Sequence, residues 1–113
     1  MNVTIYHNPK CSTSRNVLEI LRGRGIEPAI IEYLKTPLTQ AEIAALVKQM
    51  NVTVRDIVRA KEPLYAELNL EKADDAALLD AMAAHPILFN RPIVITPKGA
   101  KLCRPSETVA ALL

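Results

Sequence analysis

The sequence predicts an α/β fold: a mixed four-stranded sheet with helices packed on it and a helical insert between its two strand pairs. Three observations predict this. Two short β-branched runs near the N-terminus flank a segment of helical periodicity, which implies a parallel pair joined by a right-handed crossover. Two short runs near the C-terminus are separated by Pro97-Lys98-Gly99, the mark of an antiparallel hairpin. Between the pairs, from about residue 39 to 84, helix caps and helical spacing recur without a strand signal. With 113 residues, half of them hydrophobic, the whole span 1–113 reads as one domain around one modest core.

Each element has its own signal. Val3-Thr4-Ile5-Tyr6 is a β-branched and aromatic strand ended by Asn8-Pro9. Ser12-Thr13-Ser14 supplies capping residues, and Val17, Leu18 and Leu21 recur at the spacing of one buried helix face, closed by Gly23 and Gly25. Ile26 to Leu34 reads as a second strand with Pro28 near its start. Thr39-Gln40-Ala41-Glu42 is a capping box, so a helix is expected to about Met50. Thr53 caps a short helix carrying Val54, Ile57 and Val58, broken by Glu62-Pro63; a further turn or two follows over Leu64 to Leu70. Asp74-Asp75 opens a helix with Leu78, Leu79 and Met82, the acids suiting its positive end. Ile93-Val94-Ile95 and Ala100 to Cys103 form the hairpin, and Pro105 leads into a last helix over 106–112. This order is the outline of a thioredoxin-like fold.

Composition narrows the function. A net charge of +2 is too small for a nucleic-acid-binding face, and 4% aromatic residues with no tryptophan offers little for base stacking. No run approaches the roughly 18 apolar residues of a membrane span. Residues 1–6 carry neither the basic nor the apolar stretch of a signal peptide. Two cysteines make at most one bridge, fewer than a small secreted scaffold normally carries. The expected compartment is therefore the cytoplasm, with no nucleic-acid or membrane partner.

The chemistry concentrates on His7-Asn8-Pro9-Lys10-Cys11-Ser12-Thr13-Ser14-Arg15-Asn16, which sets a cysteine between a strand end and a helix start. The first N–H groups of a helix lack internal partners and carry partial positive charge. They favour a thiolate and bring its pKa below the free value of about 8.5. With the nearby hydroxyls they also suit an anion, so nucleophile and oxyanion cradle coincide. A dithiol oxidoreductase needs a second cysteine three residues on; here that position is Ser14, and an external thiol must resolve any adduct.

Three segments carry a family resemblance that runs from Val3 to about Val109: VTIYHNPKCSTSRN at 3–16, VRDIVR at 54–59 and HPILFNRPIVITPKGAKLCRPSE at 85–107. In these the chain resembles the glutaredoxin-linked arsenate reductases. The resemblance implies a thioredoxin-like fold with a helical insert and Cys11 as nucleophile. It implies that Arg59, Arg91 and Arg104 line the oxyanion site, that His7 sits near Cys11, and that the Arg91-Pro92 bond is cis. Guanidinium forks suit an oxyanion such as arsenate. The implied chemistry is attack of Cys11 on arsenic(V), addition of glutathione, uptake of that glutathione by glutaredoxin, and release of arsenite. Glutathione is then a cosubstrate and glutaredoxin a transient partner; no bound cofactor and no metal is implied.

Other readings stay open beside this one. Cys103 reads as a small buried hydrophobe before it reads as a resolving thiol. His7 either activates Cys11 or caps the strand end, and His85, before Pro86, reads as structural. Arg15 is expected to be solvated rather than on the anion, and Arg55 and Arg59, four apart, to share a helix face. Lys10 replaces the small residue of the family pattern, adding charge or hindering a partner. Longer family members extend beyond the last helix, but no motif residue lies in that tail. Two alternative functions remain: a redox or transcription regulator of the same fold that binds RNA polymerase, and a monothiol oxidoreductase acting on glutathione mixed disulfides. Ser14 removes the local cysteine pair such regulators sense with, and three arginines exceed what a mixed disulfide requires.

Overall fold

A computed structural model of the chain describes residues 2–113; Met1, the first residue of the stretch read for a targeting signal, lies outside them. The strands are β1 (Thr4–Tyr6), β2 (Ala29–Ile31), β3 (Ile93–Thr96) and β4 (Gly99–Leu102), in the sheet order β2-β1-β3-β4. β1 pairs in parallel with β2 (Ile5 opposite Ile30) and antiparallel with β3 (Ile5 opposite Val94), and β3 and β4 form the hairpin. This is the expected mixed sheet of a thioredoxin-like fold.

The α-helices are α1 (Ser12–Gly23), α2 (Gln40–Met50), α3 (Pro63–Glu67) and α4 (Asp75–Ala84). Tighter 3-10 turns occupy Val54–Ile57, Leu70–Lys72, Pro86–Leu88 and Ser106–Leu112. The chain divides into two compact units: one runs from the N-terminus to Thr36 and resumes over Arg91–Leu113, and the other is Pro37–Asn90. The expected insert, about residues 39–84, falls within the second.

In the first unit the core joins one sheet face to one face of α1. Val3, Ile5 and Val94 meet Val17, Leu21, Val109 and Leu112, all buried. Thr96 Oγ1 donates to the Leu112 carbonyl at 2.8 Å and ties the C-terminal turn to the hairpin. Gly99 has φ +139, a conformation that side chains disfavour, and so belongs at the hairpin. It begins β4 rather than ending the turn. In the second unit α2 packs on α4, with Ile43, Leu46, Leu78 and Met82 buried.

Local chemistry explains the helix starts. Thr39 Oγ1 accepts the Glu42 N–H at 3.2 Å while Glu42 returns a carboxylate oxygen to the Thr39 N–H at 3.0 Å, the box read in the sequence. Asp74 accepts the Ala77 N–H at 2.9 Å and caps α4. Three expectations are corrected. The second strand is only Ala29–Ile31, not Ile26 to Leu34, because β2 is an edge strand with one partner, β1. The short helix after Thr53 is a 3-10 turn that ends at Ile57, since Val58 turns extended (φ −85, ψ 134) and bridges to Phe89. Arg55 and Arg59 therefore share no helix face. Among the described residues no helix is long and apolar enough to cross a membrane.

Candidate active site

Cys11 sits where β1, its following turn and α1 meet. It is the N-cap of α1, in extended conformation (φ −92, ψ 121), and its N–H is held by the Asn8 carbonyl at 3.0 Å. Ser12, Thr13 and Ser14 are therefore inside the first turn, not capping it. The Cys11 side chain is 9% exposed.

Burial alone would raise the Cys11 pKa. The Ser14 backbone N–H, then Arg104 and Arg91, outweigh it, and the thiol is lowered from its ordinary value. No side-chain hydrogen bond closes the cap by strict geometry, so the Ser14 N–H acts as a nearby positive dipole. Arg104 Nη1 lies 3.7 Å from Cys11 Sγ and also donates to the Arg91 carbonyl at 3.1 Å, so backbone and sulfur together fix its head. Both arginines flank the β3–β4 hairpin, whose antiparallel return brings residues 91 and 104 level; Ile93 pairs with Leu102. Both are followed by cis prolines, Pro92 and Pro105. The first was expected; the second was not, and only its X-Pro sequence marked it.

His7 and Ser14 form a buried support behind the thiol. His7 Nδ1 and Ser14 Oγ are 2.5 Å apart, and Ser14 Oγ also accepts the Asn8 N–H at 3.1 Å. Burial first, and then nearby Arg22 and Arg15 against the opposing pull of Glu32, lower the His7 pKa, so the ring is neutral at neutral pH. Ser14 is fully buried and fills the place of a second cysteine with a hydrogen-bonding hydroxyl.

The other candidates separate. Arg59 lies in the second unit, just beyond its 3-10 turn. Its N–H donates to the Leu88 carbonyl at 2.7 Å and its Nε pairs with Glu62 at 3.2 Å. Arg15 is exposed, as expected, and also donates to the Pro9 carbonyl at 2.9 Å, bracing the turn before Cys11. Arg55 is structural, donating to Tyr65 Oη, the Leu70 carbonyl and the Ala73 carbonyl. The His85 N–H closes α4 on the Ala81 carbonyl. Cys103 is wholly buried, and burial pushes its thiol up to about 11. It is a core residue of the first unit. Among the described residues no group of three or more histidine, cysteine and acidic side chains is placed to hold a metal ion.

Fold and site together define a thioredoxin-like protein with one activated thiol at a helix start and arginines converging on it. Residues 6–112 match the model of the ArsC family, and the chain belongs to that family. It is 53% identical over 114 residues to an arsenate reductase of Escherichia coli (strain K12), covering 99% of this chain and 81% of that protein. It is 52% identical over 115 residues to an arsenate reductase of Rhizobium meliloti (strain 1021), covering 100% and 82%. An arsenate reductase from Vibrio cholerae superposes with a TM-score of 0.96 at 46% identity, covering 100% of this chain and 98% of that one.

Proposed function

We propose that this protein reduces arsenate to arsenite, with Cys11 as nucleophile, glutathione as cosubstrate and glutaredoxin as the protein that takes the glutathione away. The observation that carries the reading is a thiol held toward its thiolate by Arg104, Arg91 and the Ser14 N–H, with no second cysteine at position 14.

The chemistry follows from that arrangement. The Cys11 thiolate attacks arsenic(V); a sulfur–arsenic bond forms and an oxygen leaves as hydroxide or water. Arg91 and Arg104 neutralise charge on the remaining oxygens as sulfur approaches. A glutathione thiolate then displaces a second oxygen, and arsenic is still pentavalent. A glutaredoxin thiolate attacks the glutathione sulfur, a mixed disulfide forms, and the electron pair of the broken sulfur–arsenic bond reduces arsenic to the trivalent state. Water replaces Cys11 and arsenite leaves. Arg59 is assigned the third oxyanion contact on its motif alone. Because the cycle consumes reduced glutathione, its compartment is the reducing cytoplasm.

The test is a coupled assay of purified protein with arsenate, glutathione, glutaredoxin, glutathione reductase and NADPH. Wild type consumes NADPH in an arsenate-dependent manner, and Cys11→Ser does not. Consumption that persists in Cys11→Ser, or none in wild type, overturns the reading.

A further inference from the structure

We infer that the cavity on the β2 side of the Cys11 loop is the glutathione subsite, with Lys10 and Lys35 receiving the two carboxylates of the tripeptide and Glu32 its ammonium group. The inference rests on the glutathione-dependent reading above and gives that cosubstrate a place.

The cavity has a volume of about 240 Å³ and is lined by His7, Pro9, Lys10, Glu32, Leu34 and Lys35, with Asn8 at its turn. Lys10 at its rim immediately precedes Cys11 in the chain, and Cys11 itself is not among its lining residues. Asn8 Oδ1 accepts the Lys10 N–H at 3.0 Å and holds the turn that presents Lys10 at the rim. Sheet order separates this cavity from the oxyanion contacts. β1 lies between β2 and β3, so Arg91 and Arg104 reach Cys11 from the hairpin side, whereas Glu32, Leu34 and Lys35 follow β2. The cavity and the two arginine contacts thus come from opposite sides of β1.

The lining matches the ligand in sign and number. Glutathione carries two carboxylates and one ammonium group at neutral pH, and the walls offer two ammonium groups and one carboxylate. Lys35 is available: its contact with Glu32 is 3.5 Å long and its side chain is 77% exposed, so a ligand carboxylate replaces a pair that contributes little. Pro9 and Leu34, the latter 43% exposed, give the apolar wall such sites use around a few polar anchors. Lys10 thereby gains a role: it supplies charge at the rim of the cavity. The step served forms one sulfur–arsenic bond and releases one hydroxide, with no change in the oxidation state of arsenic.

Two measurements test this on the full chain. In the coupled assay, Lys10→Ala/Lys35→Ala is expected to raise KM for glutathione about fivefold, the loss of two exposed charge contacts. Protection of Cys11 from iodoacetamide by arsenate should meanwhile change less than twofold. In the second, S-methylglutathione, which has no free thiol, is titrated into the protein and followed by NMR. Amides of Asn8, Lys10 and residues 32–35 should shift in wild type, and at about fivefold higher concentration in the double variant. Turnover with an unchanged glutathione KM in the variant overturns the subsite and leaves the arsenate reductase reading standing. Lysine-dependent binding of S-methylglutathione without wild-type turnover overturns that reading and supports the subsite. Neither binding nor turnover overturns both.

Discussion

Cys11 and Cys103 are the same side chain pushed in opposite directions. Cys103 is sealed in the core, where desolvation dominates and keeps the thiol protonated. Cys11 is buried less deeply, and there the Ser14 N–H, Arg104 and Arg91 overcome desolvation. Iodoacetamide at neutral pH should therefore modify Cys11 and spare Cys103, as peptide mass spectrometry would show. The sign of the pH dependence follows from the lowered pKa. The thiolate fraction of Cys11 rises with pH through a midpoint below that of an ordinary thiol, and Arg104→Gln removes one stabilising donor and moves that midpoint up. Alkylation of this variant at pH 7 should slow several-fold; an unchanged pH profile would remove Arg104 from the account. The place of Cys11 at a helix start was legible because the strand end and the helix periodicity lie within a few residues of it. The partners of Arg15 and Arg55 were not: a long flexible side chain takes whichever carbonyl the fold brings near, and the sequence does not name it.

At the scale of elements, capping was the most readable signal and strand length the least. Thr39-x-x-Glu42 carries its donors and acceptors within four residues, so the helix start needs no distant partner. Thr39→Ala should cost about 1 kcal/mol of stability by urea denaturation, with the denaturant dependence unchanged. A loss well under a few tenths would mean the exposed cap contributes nothing. β2 shows the converse. Its sequence reads as a strand on to Leu34, but a strand extends only as far as a neighbour offers hydrogen-bonding groups, and its neighbour β1 is three residues long. The 54–59 segment failed for a related reason: its helical spacing was real for one turn, and the bridge from Val58 to Phe89, far along the chain, ended it.

For the whole molecule, the division into two units makes a distinct prediction. Leu78 is fully buried in the second unit, on α4 where that helix meets α2. Leu78→Ala should destabilise by about 2–5 kcal/mol through lost burial and a residual cavity. Native-state hydrogen exchange should accelerate first in residues 37–90 and later in the β1–β3 ladder; equal acceleration throughout would show that one cooperative unit unfolds.

The sequence by itself determined the order of elements, the mixed sheet, the caps at Thr39, Thr53 and Asp74, the place of Cys11 at a helix start and the absence of a local resolving thiol. Each of these depends on groups a few residues apart, or on the period of the hydrophobic pattern. Only the tertiary structure decided that Arg104 reaches Cys11 Sγ from 93 positions away in the chain. It alone showed that Arg15 braces the turn, that Arg59 pairs with Glu62, and that Lys10 and Lys35 line one cavity. The physical reason is range: backbone dipoles and caps act within a turn of helix, whereas convergence of side chains requires strands to be laid side by side, and strand order is settled by the packing of the whole sheet.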